Sequence, residues 1–143
     1  MPNEALPCAA GGNIYPYSFV KLSTTPSTLI TNATGFVVVQ ATDATAPVVG
    51  ISQRGNRYAP WTALDDGLAA KVGEDVGVFV TGQICEIVMA ATCTASQFIK
   101  PTTNGQGTPV TTDGDYYGAQ ALQACTAVGQ LIWARVQPGQ QAS

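Results

Sequence analysis

Hydrophobic residues alternate with a period of two along several short stretches, and the longest stretch covers residues 75–89. Valine occupies every second position up to Val80, and a break at residues 81–83 precedes a second alternating run over residues 84–89. Such alternation of β-branched side chains is typical of strands. Two runs separated by a short glycine-containing break predict a hairpin. Because both faces are largely apolar, we predict that this hairpin is central and covered on both sides.

The rest of the chain repeats this pattern on a smaller scale. Prolines, glycines and short polar clusters occur every eight to twelve residues between apolar runs, as in all-β sandwiches and barrels. We therefore predict an all-β fold, a compact β-sandwich or β-barrel of β-tulip type. Further strands are expected at residues 18–22, 28–31, 36–40, 48–53, 97–100, 109–112 and 128–136, residues 117–127 fit either a strand or a helix, and residues 62–66 fit one helical turn.

The two ends of the chain lack this alternation. Residues 1–15 contain two prolines and the pair Gly11–Gly12 without any period, which predicts an irregular, extended N-terminal arm outside the core. Residues 138–143 are polar and predict a C-terminal tail. Residues 16–137 are then one β domain, an ordinary size for a single core.

The charge content changes the picture of the surface. Charged residues make up 10% of the chain and the formal net charge is −3, whereas soluble domains typically carry about 25% charged residues. We interpret this deficit as surface buried in protein contacts, and a charge-poor secreted β domain is the alternative. The scattered basic residues do not predict nucleic-acid binding. No apolar run approaches the ~20 residues of a membrane span, and the N-terminus lacks a secretory pattern, so we expect synthesis in the cytoplasm.

Candidate catalytic chemistry is absent from the sequence. The chain has no histidine, which removes histidine-dependent nucleophilic and acid–base catalysis and most zinc sites. We therefore expect no enzyme activity, no cofactor, and no catalytic or metal-binding residue. Four widely spaced cysteines, of which Cys85 and Cys93 flank a turn, are expected to be buried and reduced.

Aromatic residues offer the other candidate chemistry. Tyr58, Trp61, Tyr116 and Tyr117 could form a platform that stacks on sugars or docks a protein, or they could anchor loops and core. The first possibility makes a carbohydrate- or receptor-binding β-sandwich the alternative function.

Several segments, in their order along the chain, resemble a known family. They are VVGISQ at residues 48–53, VGVFVTG at 76–82, FIKP at 98–101, YGAQAL at 117–122 and VGQLIWARV at 128–136. Their order is similar to that of the small capsid decoration, or cement, proteins of tailed bacteriophages. The likeness covers about residues 35–137, and Ser96–Gln97 stands where members usually have Gly-Asp.

This resemblance implies a structural protein on the outer surface of the virion. It would bind the major capsid protein as a homotrimer and stabilise contacts between neighbouring capsid subunits. In such systems an N-terminal arm often adds a strand to the capsid protein. The residues expected to contact the capsid are Asn3, Glu4, Leu6 and Pro7 of the arm and Arg54, Arg57, Tyr58 and Trp61 of an aromatic loop.

Overall fold

The computed structural model describes residues 4–24, 37–54 and 67–142. These residues form ten β-strands and one short 3-10 helix, Thr103–Gly105, and the predicted all-β fold is confirmed. The strands are β1 (Leu6–Ala10), β2 (Phe19–Leu22), β3 (Val37–Gln40), β4 (Gly50–Ser52), β5 (Asp75–Phe79), β6 (Ile84–Val88), β7 (Phe98–Pro101), β8 (Gly107–Pro109), β9 (Tyr116–Ala121) and β10 (Leu131–Gln140).

The first five strands form a closed barrel in the order β1-β3-β2-β4-β5. Strand β1 closes it, because β1 pairs in parallel with β3 and antiparallel with β5. The remaining pairs in the barrel are antiparallel. Closure leaves none of these five strands with an unpaired edge in the ring.

The last five strands form a second, antiparallel sheet in the order β6-β10-β9-β7-β8. Just after β6, Met89 makes a parallel bridge with Gly107 of β8, and the Ala90 N–H donates to the Gly107 carbonyl at 2.8 Å. The two outermost strands therefore meet at one end, and the sheet curls towards a second barrel.

Two apolar clusters make up the core. One fills the barrel and includes Val20, Val38 and Val78. The other lies between the outer wall of the barrel and the concave side of the second sheet, where Phe19 and Ile51 pack with sheet residues such as Ile132. Strand β10 shows the origin of this arrangement, because its side chains alternate strictly between exposed and buried from Leu131 to Gln137.

The predicted central hairpin is wrong in its pairing. The chain does turn after Val80, and Gly82 adopts a φ of +87°. However, β5 already pairs with β1 on one side and β4 on the other. Strand β6 leaves the barrel and pairs with β10 in the second sheet.

The predicted arm and tail are also corrected. Residues 6–10 are strand β1, and Ile14 is fully buried and pairs with Ala70, so this part of the predicted arm belongs to the barrel and its core. Strand β10 continues to Gln140 across a register shift after Val136, so residues 138–140 of the predicted tail are strand. The ambiguous segment 117–127 begins as strand β9, and the predicted strand at residues 109–112 lies earlier, at Gly107–Pro109.

Three predicted elements lie partly or wholly outside the residues that the structure describes. The strand at residues 28–31, the first residue of the strand at 36–40, and the helical turn at 62–66 lie outside the described residues. The prediction for the cysteines is confirmed, since all four are free and buried. The neighbour of Cys93 is Cys125 rather than Cys85, and the two exchange backbone hydrogen bonds of 3.1 and 3.0 Å.

Candidate docking surface

The outer face of the second sheet carries large apolar side chains in contact with solvent. Trp133, at the middle of this face, is 50% exposed, and Leu131, two residues before it on β10, is 40% exposed. Ile84 and Leu122 are exposed to a similar degree. Together with the half-buried Val88, we call these five residues the Trp133 face.

Strand register brings these side chains together. Leu131 lies opposite Val88, and Arg135 lies opposite Ile84, so the outward side chains of β6 and β10 form adjacent rows. Leu122 follows β9 and its N–H donates to the carbonyl of Trp133 at 2.9 Å. Leu131 and Val88 are directly opposite each other and therefore about 5 Å apart, whereas Trp133 and Ile84 are diagonal neighbours at about 7–8 Å, which a large side chain can reach.

One acidic and one basic residue interrupt this apolar surface. Glu86 lies opposite Trp133, and Arg135 follows two positions further along β10. An apolar centre bordered by a few charges is the usual composition of a protein-binding patch. Tryptophan and arginine are among the residues that contribute most to such interfaces.

The buried side of the same strands carries one thiol, that of Cys85. Cys85 lies beneath this surface, and its burial, with a smaller effect from the neighbouring Glu86, raises its pKa to about 12. The thiol is therefore protonated and a poor nucleophile. Within the described ranges, no group of three or more histidine, cysteine, aspartate or glutamate side chains could hold a metal ion. The arrangement is suited to noncovalent docking.

The structure describes four of the eight residues predicted to contact a capsid. Leu6 and Pro7 lie in β1, where they pair with Val78 and Gly77 of β5. Glu4 is exposed, and its carbonyl accepts a hydrogen bond from the side chain of Gln83. Arg54 lines a cavity of about 360 Å³. Asn3, Arg57, Tyr58 and Trp61 lie outside the described residues.

The aromatic platform predicted from four residues is described only in part. Tyr117 stacks on Phe98 with ring centroids 4.4 Å apart, and its ring lies against Gly139. Tyr117 therefore anchors β9 to its neighbours, which is the structural role given as the alternative. Tyr116 is half-buried on the same strand, and Tyr58 and Trp61 are not described.

Sequence reasoning identified β10 but not its open face. Leu131 and Trp133 alternate with Ile132 and Ala134, so both sides of the strand are apolar and the pattern does not say which one is covered. The size difference was the available clue. The small Ala134 faces the crowded interior, whereas the larger Trp133 faces outward.

No protein-family model matches the chain, and no curated protein matches it. Among solved structures, the fold is similar to the N base of the head fiber protein gp8.5 of bacteriophage phi29. The TM-score is 0.57 at 12% sequence identity, and the match covers 93% of this chain and 92% of that one. The two chains therefore share a fold over nearly their whole length. Within the described segments, no helix is long and apolar enough to cross a membrane.

Proposed function

We propose that this protein is a structural component of a bacteriophage head, located on the outside of the capsid. The observation that carries this proposal is the shared fold with the base of a phage head fiber over more than nine-tenths of both chains. The order of short motifs that resembles capsid decoration proteins supports the same assignment independently of the structural match. The low charge content is consistent with a surface that is partly covered by other proteins.

The finer part of the proposal is that the protein acts as a decoration protein. It binds the major capsid protein, stabilises contacts between capsid subunits and carries no enzymatic activity. Its copies associate as a homotrimer, whose three-fold symmetry repeats one heterologous interface. The Trp133 face is the surface we assign to attachment, because burying exposed tryptophan and leucine side chains on a partner removes apolar area from water.

The test measures attachment to heads of the virus that encodes the chain. Purified protein is mixed with heads and separated by sedimentation, and the decorated heads are imaged by electron cryomicroscopy. Trp133→Ser should weaken attachment at least tenfold, because truncating a central tryptophan typically costs 2 kcal/mol or more of binding free energy. Its melting temperature should stay close to that of the wild type, since the side chain is half exposed.

The matched control removes an equally exposed apolar side chain elsewhere. Leu22 ends barrel strand β2 and is 51% exposed, so Leu22→Ser should leave attachment unchanged. Equal attachment of wild type and Trp133→Ser would reject the Trp133 face as the docking surface. Failure of the wild-type protein to bind heads would reject the function itself, and a monomer both free and on the particle would reject the trimer.

A further inference from the structure

A cavity of about 360 Å³ opens between the barrel and the second sheet. Its walls are the turn that carries Tyr15 and Tyr17 and the turn that carries Asn104 and Gln106. Arg54 and Leu131 also line it. This volume lies within the range of small-ligand sites, which are concave and combine aromatic walls with a few polar groups.

Hydrogen bonds from a partly buried polar network hold the backbone of the tyrosine wall. The carbonyl of Tyr15 accepts hydrogen bonds from the hydroxyls of Ser18 and Ser52, both at 2.6 Å. Its N–H donates to Oε1 of Gln40 at 2.8 Å. The Tyr17 N–H donates to the Ser52 carbonyl, and the Tyr17 carbonyl accepts from Val88 of the second sheet, both at 3.0 Å. Bonds to the barrel side therefore hold the backbone of Tyr15, and bonds to both sheets hold the backbone of Tyr17.

The amide wall is attached to the same network. Gly105, with a φ of +72°, lies so close to the side chain of Gln40 that a β-carbon there would collide with it. The Gln40 atom nearest Gly105 is Nε2, which also donates to Ser18 Oγ at 2.8 Å and to the Phe19 carbonyl at 2.7 Å, while Oε1 of the same side chain accepts from Tyr15. One glutamine thus connects both walls. Preformed sites of this kind avoid much of the entropy cost of binding.

Backbone conformations at the two walls are unusual. Tyr17 has a φ of 55° and Asn104 a φ of 59°, and the described part of the chain has only one other non-glycine residue with positive φ. Such conformations cost free energy and are concentrated at ligand sites, where the surrounding structure enforces them. At Tyr17 the hydrogen bond from its N–H to the Ser52 carbonyl supplies part of that enforcement.

The chemistry of the lining identifies the class of ligand. Tyrosine rings present apolar faces and a hydroxyl, and the amides of Asn104 and Gln106 can each donate and accept hydrogen bonds. Among the described residues, neither the two tyrosine hydroxyls nor these two amides have an intramolecular partner. The described lining contains no carboxylate. Apolar ring faces combined with groups that donate and accept match a sugar ring, with its C–H faces and its hydroxyls.

We propose that this cavity binds a saccharide, as one or two rings of a glycan. The proposal is independent of capsid attachment. It places sugar recognition on Tyr15, Tyr17, Asn104 and Gln106, whereas the sequence pointed to a different set of aromatic residues. Val88 and Leu131 line the cavity and belong to the Trp133 face, so the site adjoins that surface.

The test is a glycan array with the full-length protein, including bacterial polysaccharides and cell-wall glycans, followed by calorimetric titration of the glycans that bind. Asn104→Gly removes the amide at a backbone position that glycine adopts readily, and Tyr15→Ala removes one aromatic wall. Each should weaken binding at least tenfold. Soluble mono- or disaccharides separate recognition of one or two rings from recognition of a longer polymer.

Two controls make the result specific. Asn13→Gly is the same substitution at an exposed position outside the cavity lining and should leave affinity unchanged. Trp133→Ser should retain glycan binding, which separates this site from capsid attachment. An array without any bound glycan would overturn the proposal, and so would glycan binding that Asn104→Gly and Tyr15→Ala leave unchanged.

Discussion

Gly118 provides the most direct test of how the barrel and the second sheet pack together. It is a buried residue of β9, and a β-carbon at this position would lie 2.7 Å from Cδ1 of Phe19 and 2.8 Å from Cγ1 of Val48. Real β-carbons essentially never come within 3.0 Å of such neighbours. The φ of Gly118 is not positive, so alanine meets no backbone strain there. Gly118→Ala therefore perturbs the contact between the two sheets and little else.

The expected magnitude follows from two opposing effects. Overpacking a well-filled core typically costs about 1–3 kcal/mol. Replacing glycine by alanine also reduces the conformational entropy of the unfolded chain, which stabilises the folded state by about 0.4–1 kcal/mol. The net loss in the free energy of unfolding should be about 1–2 kcal/mol. For a chain of this length that corresponds to a melting temperature roughly 3–8 °C lower.

The assay is thermal and urea unfolding followed by circular dichroism. Gly12→Ala is the matched control, because a β-carbon at Gly12 would have no neighbour within 4 Å. It should be neutral or stabilising by up to about 1 kcal/mol. In the double variant Phe19→Leu/Gly118→Ala, the smaller leucine makes room for the new methyl group, so the combined loss should be less than the sum of the single losses. A Gly118→Ala protein that melts at or above the wild-type temperature would refute the described packing, as would strict additivity.

Two further predictions concern the barrel and the buried thiol. Deleting residues 2–14 should abolish cooperative unfolding in calorimetry, because β1 closes the barrel and Ile14 is part of its core; a truncated chain with wild-type melting would contradict this. Cys85 has a folded-state pKa of about 12 against an ordinary value of 9.0, so its contribution to stability is fully present below pH 9 and is lost as the pH rises towards 12. That loss is on the order of 4 kcal/mol, and urea titrations at pH 8 to 11 should show a smaller alkaline decrease for Cys85→Ala than for the wild type. Equal decreases would contradict burial of the thiol.

The alternation of apolar and polar residues predicted most of the strands because it reflects a local property. Strands β5, β6 and β10 lie within one to four residues of their predicted bounds, since each has one side facing a core. The prediction that β5 and β6 pair failed because turn chemistry is also local. Turn chemistry predicted the turn at Gly82, but it carries no information on the pairing of β5 with two strands distant in sequence, β1 and β4.

Strand β1 escaped prediction for a different reason. Its sequence, LPCAA, contains a proline and small residues, which carry little strand propensity. Its position depends instead on two partners, β3 and β5, that occur about 30 and 70 residues later. Small side chains suit it, because Ala9 and Ala10 lie in a crowded barrel wall and are buried. Tertiary contacts of this range leave no local pattern.

The candidate surfaces were harder to predict than the fold. The apolar alternation along β10 is the same whether its tryptophan is exposed or buried. The Trp133 face could therefore be identified only from the strand pairing in the structure. The cavity depends on Gln40 reaching two turns that are distant from it in sequence, Tyr15–Tyr17 and 102–106. The absence of histidine and the low charge content could be judged from the sequence, because those properties do not depend on folding.

The division of the chain into a barrel and a later sheet has a consequence during synthesis. All five barrel strands leave the ribosome before β6, so the barrel can close while the rest of the chain is still being made. The second sheet, in contrast, cannot assemble until its later strands have been synthesised. Its order places β10 between β6 and β9, so β6 lacks its partner until β7, β8 and β9 have been synthesised. During that interval the apolar side of β6 and the outer barrel wall at Phe19 lack their final cover, and this nascent chain is the species most in need of chaperone protection.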